Sequence, residues 1–223
     1  DDTVLAARVH DEDGGLLATL VNYACHPTTL AWENTLISSD YPGAMRETIE
    51  NATGVPCLFL QGASGELGPV EGFVGDVAVA DRNGRQLGYA ALSALEAMPA
   101  PGTRFVYQGP VVSGATLGDW HHEALSSEDI EAHGEWQINR DSIPLPIRPG
   151  TPSVEQVQAE LADWEAKDTP DARAMAERKR RMLHRLDQLP AGDAFPIESV
   201  VIKIGGAVWV ILQGEFYSVL QTA

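Results

Sequence analysis

Two apolar arms, Val4 to Val9 and Leu16 to Cys25, flank the triplet Asp13-Gly14-Gly15. Apolar runs about an Asp-Gly turn predict a β-hairpin. A polar loop follows from His26, and then "YPGAMRETIENATG" predicts a short helix, with Asp40 as cap, Pro42 in its first turn and Gly54 at its end. "VPCLFLQG" is a short, continuously apolar run of the kind that makes a strand buried on both faces. After a glycine-rich loop, Asp76 caps a long helix from Val77 to about Ala97, with Leu87, Ala91, Leu92 and Leu95 on one face. Gly84 and Gly88 interrupt that helix at a cost of about 1 kcal/mol each against alanine, so close approach to a sheet is expected there.

The second half is less regular in pattern. "TRFVYQGPVVSGATL" predicts a strand region, whereas residues 115 to 150, rich in His, Trp and Pro, read as irregular. "SVEQVQAELADWEAKD" and "TPDARAMAERKRRMLHRLDQL" predict a helical hairpin, opened by a capping box of Ser153 and Gln156 and by the helix start Thr169-Pro170. "ESVVIKIGGAVWVILQGEF" predicts a second β-hairpin about Gly205-Gly206. The order strand, helix, strand, helix, strand implies an α/β fold: a mixed, largely buried sheet flanked by helices, with an inserted helical hairpin. Residues 1–223 are expected to form a fragment of one domain, with 114–197 as an insertion of irregular chain plus helical hairpin. Working loops in such sheets lie at the carboxyl ends of strands. Three fall there: the loop opening at His26, the one after Gln61, and the one at Glu215.

Composition narrows the partners. Fifteen Lys and Arg against 32 Asp and Glu give a net charge of −17. Such a field repels nucleic-acid phosphates and anionic lipid, and favours a divalent cation wherever carboxylates converge. No apolar run reaches the roughly 20 residues that cross a bilayer. The sequence opens without Met and stops soon after an amphipathic segment begins, and it reads as a fragment or a processed product. Cys25 and Cys57 are too few for a disulfide framework, and two buried thiols are the simpler expectation over a bridge.

Four positions carry candidate chemistry. His26 ends an apolar strand and is either a structural histidine or a ligand. Glu215 follows "VWVIL", and a carboxylate emerging from a buried strand has to be paired or metal-bound. One His and one Glu are half of a zinc site, which usually needs three protein ligands and an open position. Glu66, in the loop "QGASGELGP", is either a turn-stabilising acceptor or a general base. Ser64 in the same loop lacks the Gly-x-Ser-x-Gly elbow, since position 66 is Glu, and no base can be assigned to it. His121 and His122 lie beside Trp120, where exposed loop residues are the simpler reading.

Taken together, three segments resemble the neutral (non-lysosomal) ceramidase family of zinc amidases. "LVNYACHPTTL…ISSDYPGAMRETIE" looks like that family's strand, metal-binding His and following helix start. "CLFLQGASGELGP" is similar to its strand and Gly-Asp-Val-Ser-Pro loop, and "VIKIGGAVWVILQGEF" to its apolar hairpin ending in a zinc-binding Glu. "DRNGRQLGYAALSAL" fits the helix between these parts. The resemblance covers roughly residues 3 to 113 and 198 to 221. It implies His26 and Glu215 as zinc ligands, a lipid-like or other small amide or ester substrate, and an extracytoplasmic or secreted location. It also implies further ligands, a His earlier and a Tyr later, outside these 223 residues. One departure matters: the family's nucleophilic serine aligns with Gly68, although Pro69 is kept. The chemistry left to expect is attack by zinc-activated water, with Glu66 as general base. The alternative is a non-catalytic domain that keeps the fold and binds a ligand or partner chain.

Overall fold

The computed structural model describes residues 3–222. The chain divides into two compact units: residues up to Ala132 together with those from Gly214 make one, and His133–Gln213 make the other. The α/β class expected from the pattern is what forms.

In the first unit the predicted hairpin is present as β1 (Val4–His10) and β2 (Leu16–Tyr23), paired antiparallel. β3 (Cys57–Gln61) pairs parallel to β2, Tyr23 lying opposite Gln61. The chain crosses between them through α1 (Asp40–Thr53), which Gly54 ends in the left-handed conformation at φ 74 while its N–H bonds Glu50 O. α2 (Val77–Glu96) begins as expected, with the Asp76 side chain accepting from Ala78 N–H. Val21, Met45, Ile49, Cys57, Leu87 and Ala91 form the core between the sheet and these two helices. Because β2 and β3 run parallel, the loops after Tyr23 and Gln61 leave the sheet at the same edge. That edge holds the site.

Gly84 and Gly88 serve a different neighbour from the one expected. A Cβ on Gly84 would lie 2.3 Å from Tyr41 O and 2.7 Å from the Ala44 Cβ, and one on Gly88 2.8 Å from the Thr48 Cβ. The close approach is to α1 rather than to a sheet, because two helices crossing at small residues bring their backbones together. Gly84→Ala is therefore expected to destabilise the protein by about 1–3 kcal/mol, the range of core overpacking, although alanine is the better helix former by about 1 kcal/mol. Equilibrium denaturation checks it, and a stabilised variant would contradict the packing.

Three expectations about the sheet need correction. There is no single sheet: β1-β2-β3, β4-β5 and β6-β7-β8 are separate. β3 is an edge strand of its sheet rather than one buried on both faces, and Leu58 is 47 % exposed. Residues 115 to 150 are mostly regular. They form β5 (Ala115–Ala124), the antiparallel partner of β4 (Thr103–Ser113), then α3 (Ser127–Gly134) and β6 (Trp136–Pro146). Every residue of β6 is exposed, so no face imposes the period-two pattern that reveals a strand. Its Pro144 and Pro146 are tolerated because β6 is an edge strand.

In the second unit, β6 pairs with β7 (Ala194–Ile204), which pairs with β8 (Ala207–Leu212), so the predicted hairpin about Gly205 is present. The helical hairpin is present as α4 (Val154–Glu165) packed on α5 (Ala172–Asp187). Ser153 and Gln156 close the predicted capping box. A last short helix, α6 (Val219–Thr222), belongs to the first unit. Among the described residues, no helix is long and apolar enough to cross a membrane.

Candidate metal site

His26 leaves β2 three residues beyond Tyr23, and its surroundings fix it at several points. Its N–H donates to Leu67 O at 2.9 Å, and its ring Nδ1 lies 3.1 Å from the same oxygen. A carbonyl only accepts, so Nδ1 carries a proton, and Nε2 is the ring atom left to face another group. Further along this loop, the N–H of Phe73 donates to Thr28 O and that of Val74 to Thr29 O. On its other side the Asp40 carboxylate accepts from Leu30 N–H at 2.9 Å and from Tyr41 N–H at 2.7 Å. Asp40 is thus the first residue of α1, with Ser39 before it as N-cap, and its side chain ties the His26 loop to the helix. Its backbone sits at φ 53, a conformation that Asp and Asn adopt more readily than other side chains.

Glu215 reaches the same place from the far end of the chain. Its Oε2 lies 3.4 Å from His26 Nε2, so the two predicted ligands are brought together. The route differs from the expected one. β8 and β2 belong to different sheets, and Glu215 follows the turn residue Gly214, at φ 104, rather than a buried strand end. Its side chain is 79 % exposed, so the cost of burying a bare carboxylate is not what pairs it. The position is set by backbone contacts. Gly65 N–H donates to Phe216 O at 2.7 Å, and a Cβ on Gly65 would lie 2.7 Å from Glu215 O.

Glu66, the predicted base, is bound to Ser218. Both carboxylate oxygens lie 2.9 Å from Ser218 N–H, and the Ser218 hydroxyl donates to Oε1. That hydroxyl is the main reason its carboxyl sits below the ordinary glutamate range, with the Ser218 N–H adding to it. Ser64 is 3 % exposed, and its Oγ accepts from Gln61 Nε2, which also donates to Cys25 O. Cys25 and Cys57 are both free and buried, and burial pushes both thiols up. A thiol held protonated is a poor nucleophile. His121 and His122 lie in β5 and not in a loop. His121 pairs with Asp119 at 3.0 Å, and the His122 ring rests on Phe105.

The donor atoms of His26 and Glu215 fit a metal ion. With a proton on Nε2 the two atoms at 3.4 Å form an ion pair; without one, a cation between them would relieve the repulsion of their lone pairs. A charge-assisted N–H···O bond closes to about 2.7–2.9 Å. Two ligands on one tetrahedral zinc, each about 2 Å from it, stand about 3.3 Å apart. The observed 3.4 Å falls within ion-pair distance and also within the spacing of two ligands on one zinc. The ring Nδ1–H bonded to a backbone carbonyl is also the usual arrangement behind a zinc-binding histidine. Among the described residues, however, no group of three or more His, Cys, Asp and Glu side chains converges.

No family model matches the sequence, and no curated protein matches it. A solved structure that is similar in shape is the neutral ceramidase from Pseudomonas aeruginosa, at 17 % identity and a TM-score of 0.43. The match covers 93 % of this chain and 33 % of that one, so the chain spans about a third of that protein's length. A likeness at this score assigns no role to any residue here.

Proposed function

We propose that His26 and Glu215 are two ligands of a zinc site in a hydrolase that cleaves an amide or ester bond of a small-molecule or lipid-like substrate. The 3.4 Å separation of Nε2 and Oε2, with Nδ1 committed to Leu67 O, carries this reading. Zinc bound there supplies Lewis-acid polarisation of the scissile carbonyl and acidifies water. His26 contributes a neutral, oriented nitrogen, and Glu215 an anionic oxygen that offsets part of the cation's charge. As general base, Glu66 would have to release Ser218, and its lowered pKa makes it a weaker base than an ordinary glutamate.

Ser64 is buried and its hydroxyl accepts from Gln61, which does not favour it as a nucleophile. Gly68 offers no side chain, although a Cβ there would meet only Thr28 Oγ1, at an ordinary 3.5 Å. Space does not dictate that glycine. Assays on amide and ester panels test the proposal. Chelation is expected to abolish turnover and added zinc to restore it, while serine-directed covalent inhibitors and Ser64→Ala leave it nearly unchanged. Turnover that resists chelators and disappears in Ser64→Ala would overturn it.

A second reading is a non-catalytic domain that binds a ligand or partner chain. It is favoured by the bare Gly68 and by the lack of a third converging ligand among the described residues. On that reading His26 and Glu215 form an ordinary surface ion pair, worth about 0–1 kcal/mol.

A further inference from the structure

Three consecutive residues hold both halves of the site. Leu67 O receives the His26 N–H and faces its Nδ1; Gly65 N–H holds Phe216 O; Glu66 holds Ser218 through both carboxylate oxygens. Residues 65–67 therefore form a bracket between two segments that lie far apart in sequence. We propose that Glu66 is a positioning residue: it anchors Ser218 so that Glu215 stands within ligand distance of His26. This rests on the metal-site reading of that pair.

The chemistry of the contact supports the assignment. A carboxylate spans the Ser218 N–H and hydroxyl together, and bonds from a charged acceptor are about twice as strong as neutral ones. The anchored residue stands immediately before α6. Glu215 itself, 79 % exposed, gains little from packing, so its place depends on its neighbours in the chain. Ligand sites work when their supporting groups hold them within about 0.5 Å.

Glu66→Gln separates this role from that of a base. A glutamine oxygen still accepts from Ser218 N–H but cannot take a proton from water, whereas alanine does neither. Zinc affinity by chelator competition and hydrogen exchange across residues 215–222 are the readouts, with wild type, both variants and Ser218→Ala compared. Glu66→Ala is expected to weaken zinc binding by about 10- to 100-fold, the usual effect of losing a group that orients a ligand, and to speed exchange in that segment. Glu66→Gln should recover most of both losses, and Ser218→Ala should fall between. Unchanged zinc affinity and exchange in Glu66→Ala would overturn the proposal. So would loss of turnover in both Glu66 variants with zinc binding intact, which is the signature of a base. If wild type and His26→Ala bind zinc alike, the metal reading fails, and the exchange data still decide whether Glu66 anchors the segment.

Discussion

His26→Ala is expected to lower zinc affinity by more than the 10- to 100-fold that orienting groups around a site account for. The imidazole supplies one bond directly, and its Nε2 is the atom that Glu215 faces at 3.4 Å. Glu215→Ala should cost a similar factor, and the double variant little more, because a single donor holds the ion weakly whichever one remains. The 223-residue chain by itself should bind zinc weakly, since structural and catalytic sites use at least three protein ligands. Where a longer chain supplies a third ligand, binding should be tight and the loss in His26→Ala correspondingly larger. Chelator competition on wild type and variants gives the factor. Equal zinc affinity in wild type and His26→Ala, measured by that competition, would remove the basis for a shared site.

The parts of the fold legible in the sequence are those whose local chemistry and burial agree. The hairpin β1-β2, the left-handed end of α1 at Gly54, the Asp76 cap of α2 and the capping box of α4 are each written in a few adjacent residues. Where burial is missing, the pattern is missing too. β5 and β6 carry no buried residue, so polar and apolar positions mix freely there and the strands read as irregular. Long-range choices were also hidden. Nothing in "VWVIL" says that β8 joins β7 and β6 rather than β2, because strand pairing depends on partners remote in sequence.

The site shows the same division. His26 and Glu215 were legible because each follows an apolar run and begins a loop, and the structure brings them together. Burial does not place Glu215: it is exposed, and backbone contacts of its neighbours hold it. Asp before an apolar helix reads as a cap, whereas its bond to Leu30 N–H spans a connection that includes a 3-10 turn at Ala31–Glu33. The partnership of Glu66 with Ser218 had no local signal at all. Only a Ser-x-x-Glu spacing along one helix announces such a pair in sequence, and here the two residues lie in distant segments.

Gly65→Ala should damage the site while leaving the rest of the first unit in place. The added methyl would lie 2.5 Å from Tyr217 Cδ1 and 2.7 Å from Glu215 O. The Tyr217 ring, 61 % exposed, can swing aside, but a backbone oxygen moves only with its residue. Restoring van der Waals contact requires a displacement of about 0.5–1 Å, since non-bonded heavy atoms settle near 3.5 Å. A shift of that size in a ligand costs about 10²-fold where geometry matters, so zinc affinity should fall by about that factor. Gly68→Ala is the control on the same loop, because its methyl meets only Thr28 Oγ1 at 3.5 Å, and its affinity should stay near wild type. Hydrogen exchange should rise in residues 215–222 of Gly65→Ala and remain unchanged in β2 and α1, which do not touch the added methyl. If the two alanine variants bind zinc equally well, the bracket of residues 65–67 does not set the His26–Glu215 distance, and the pair must be held by some other contact.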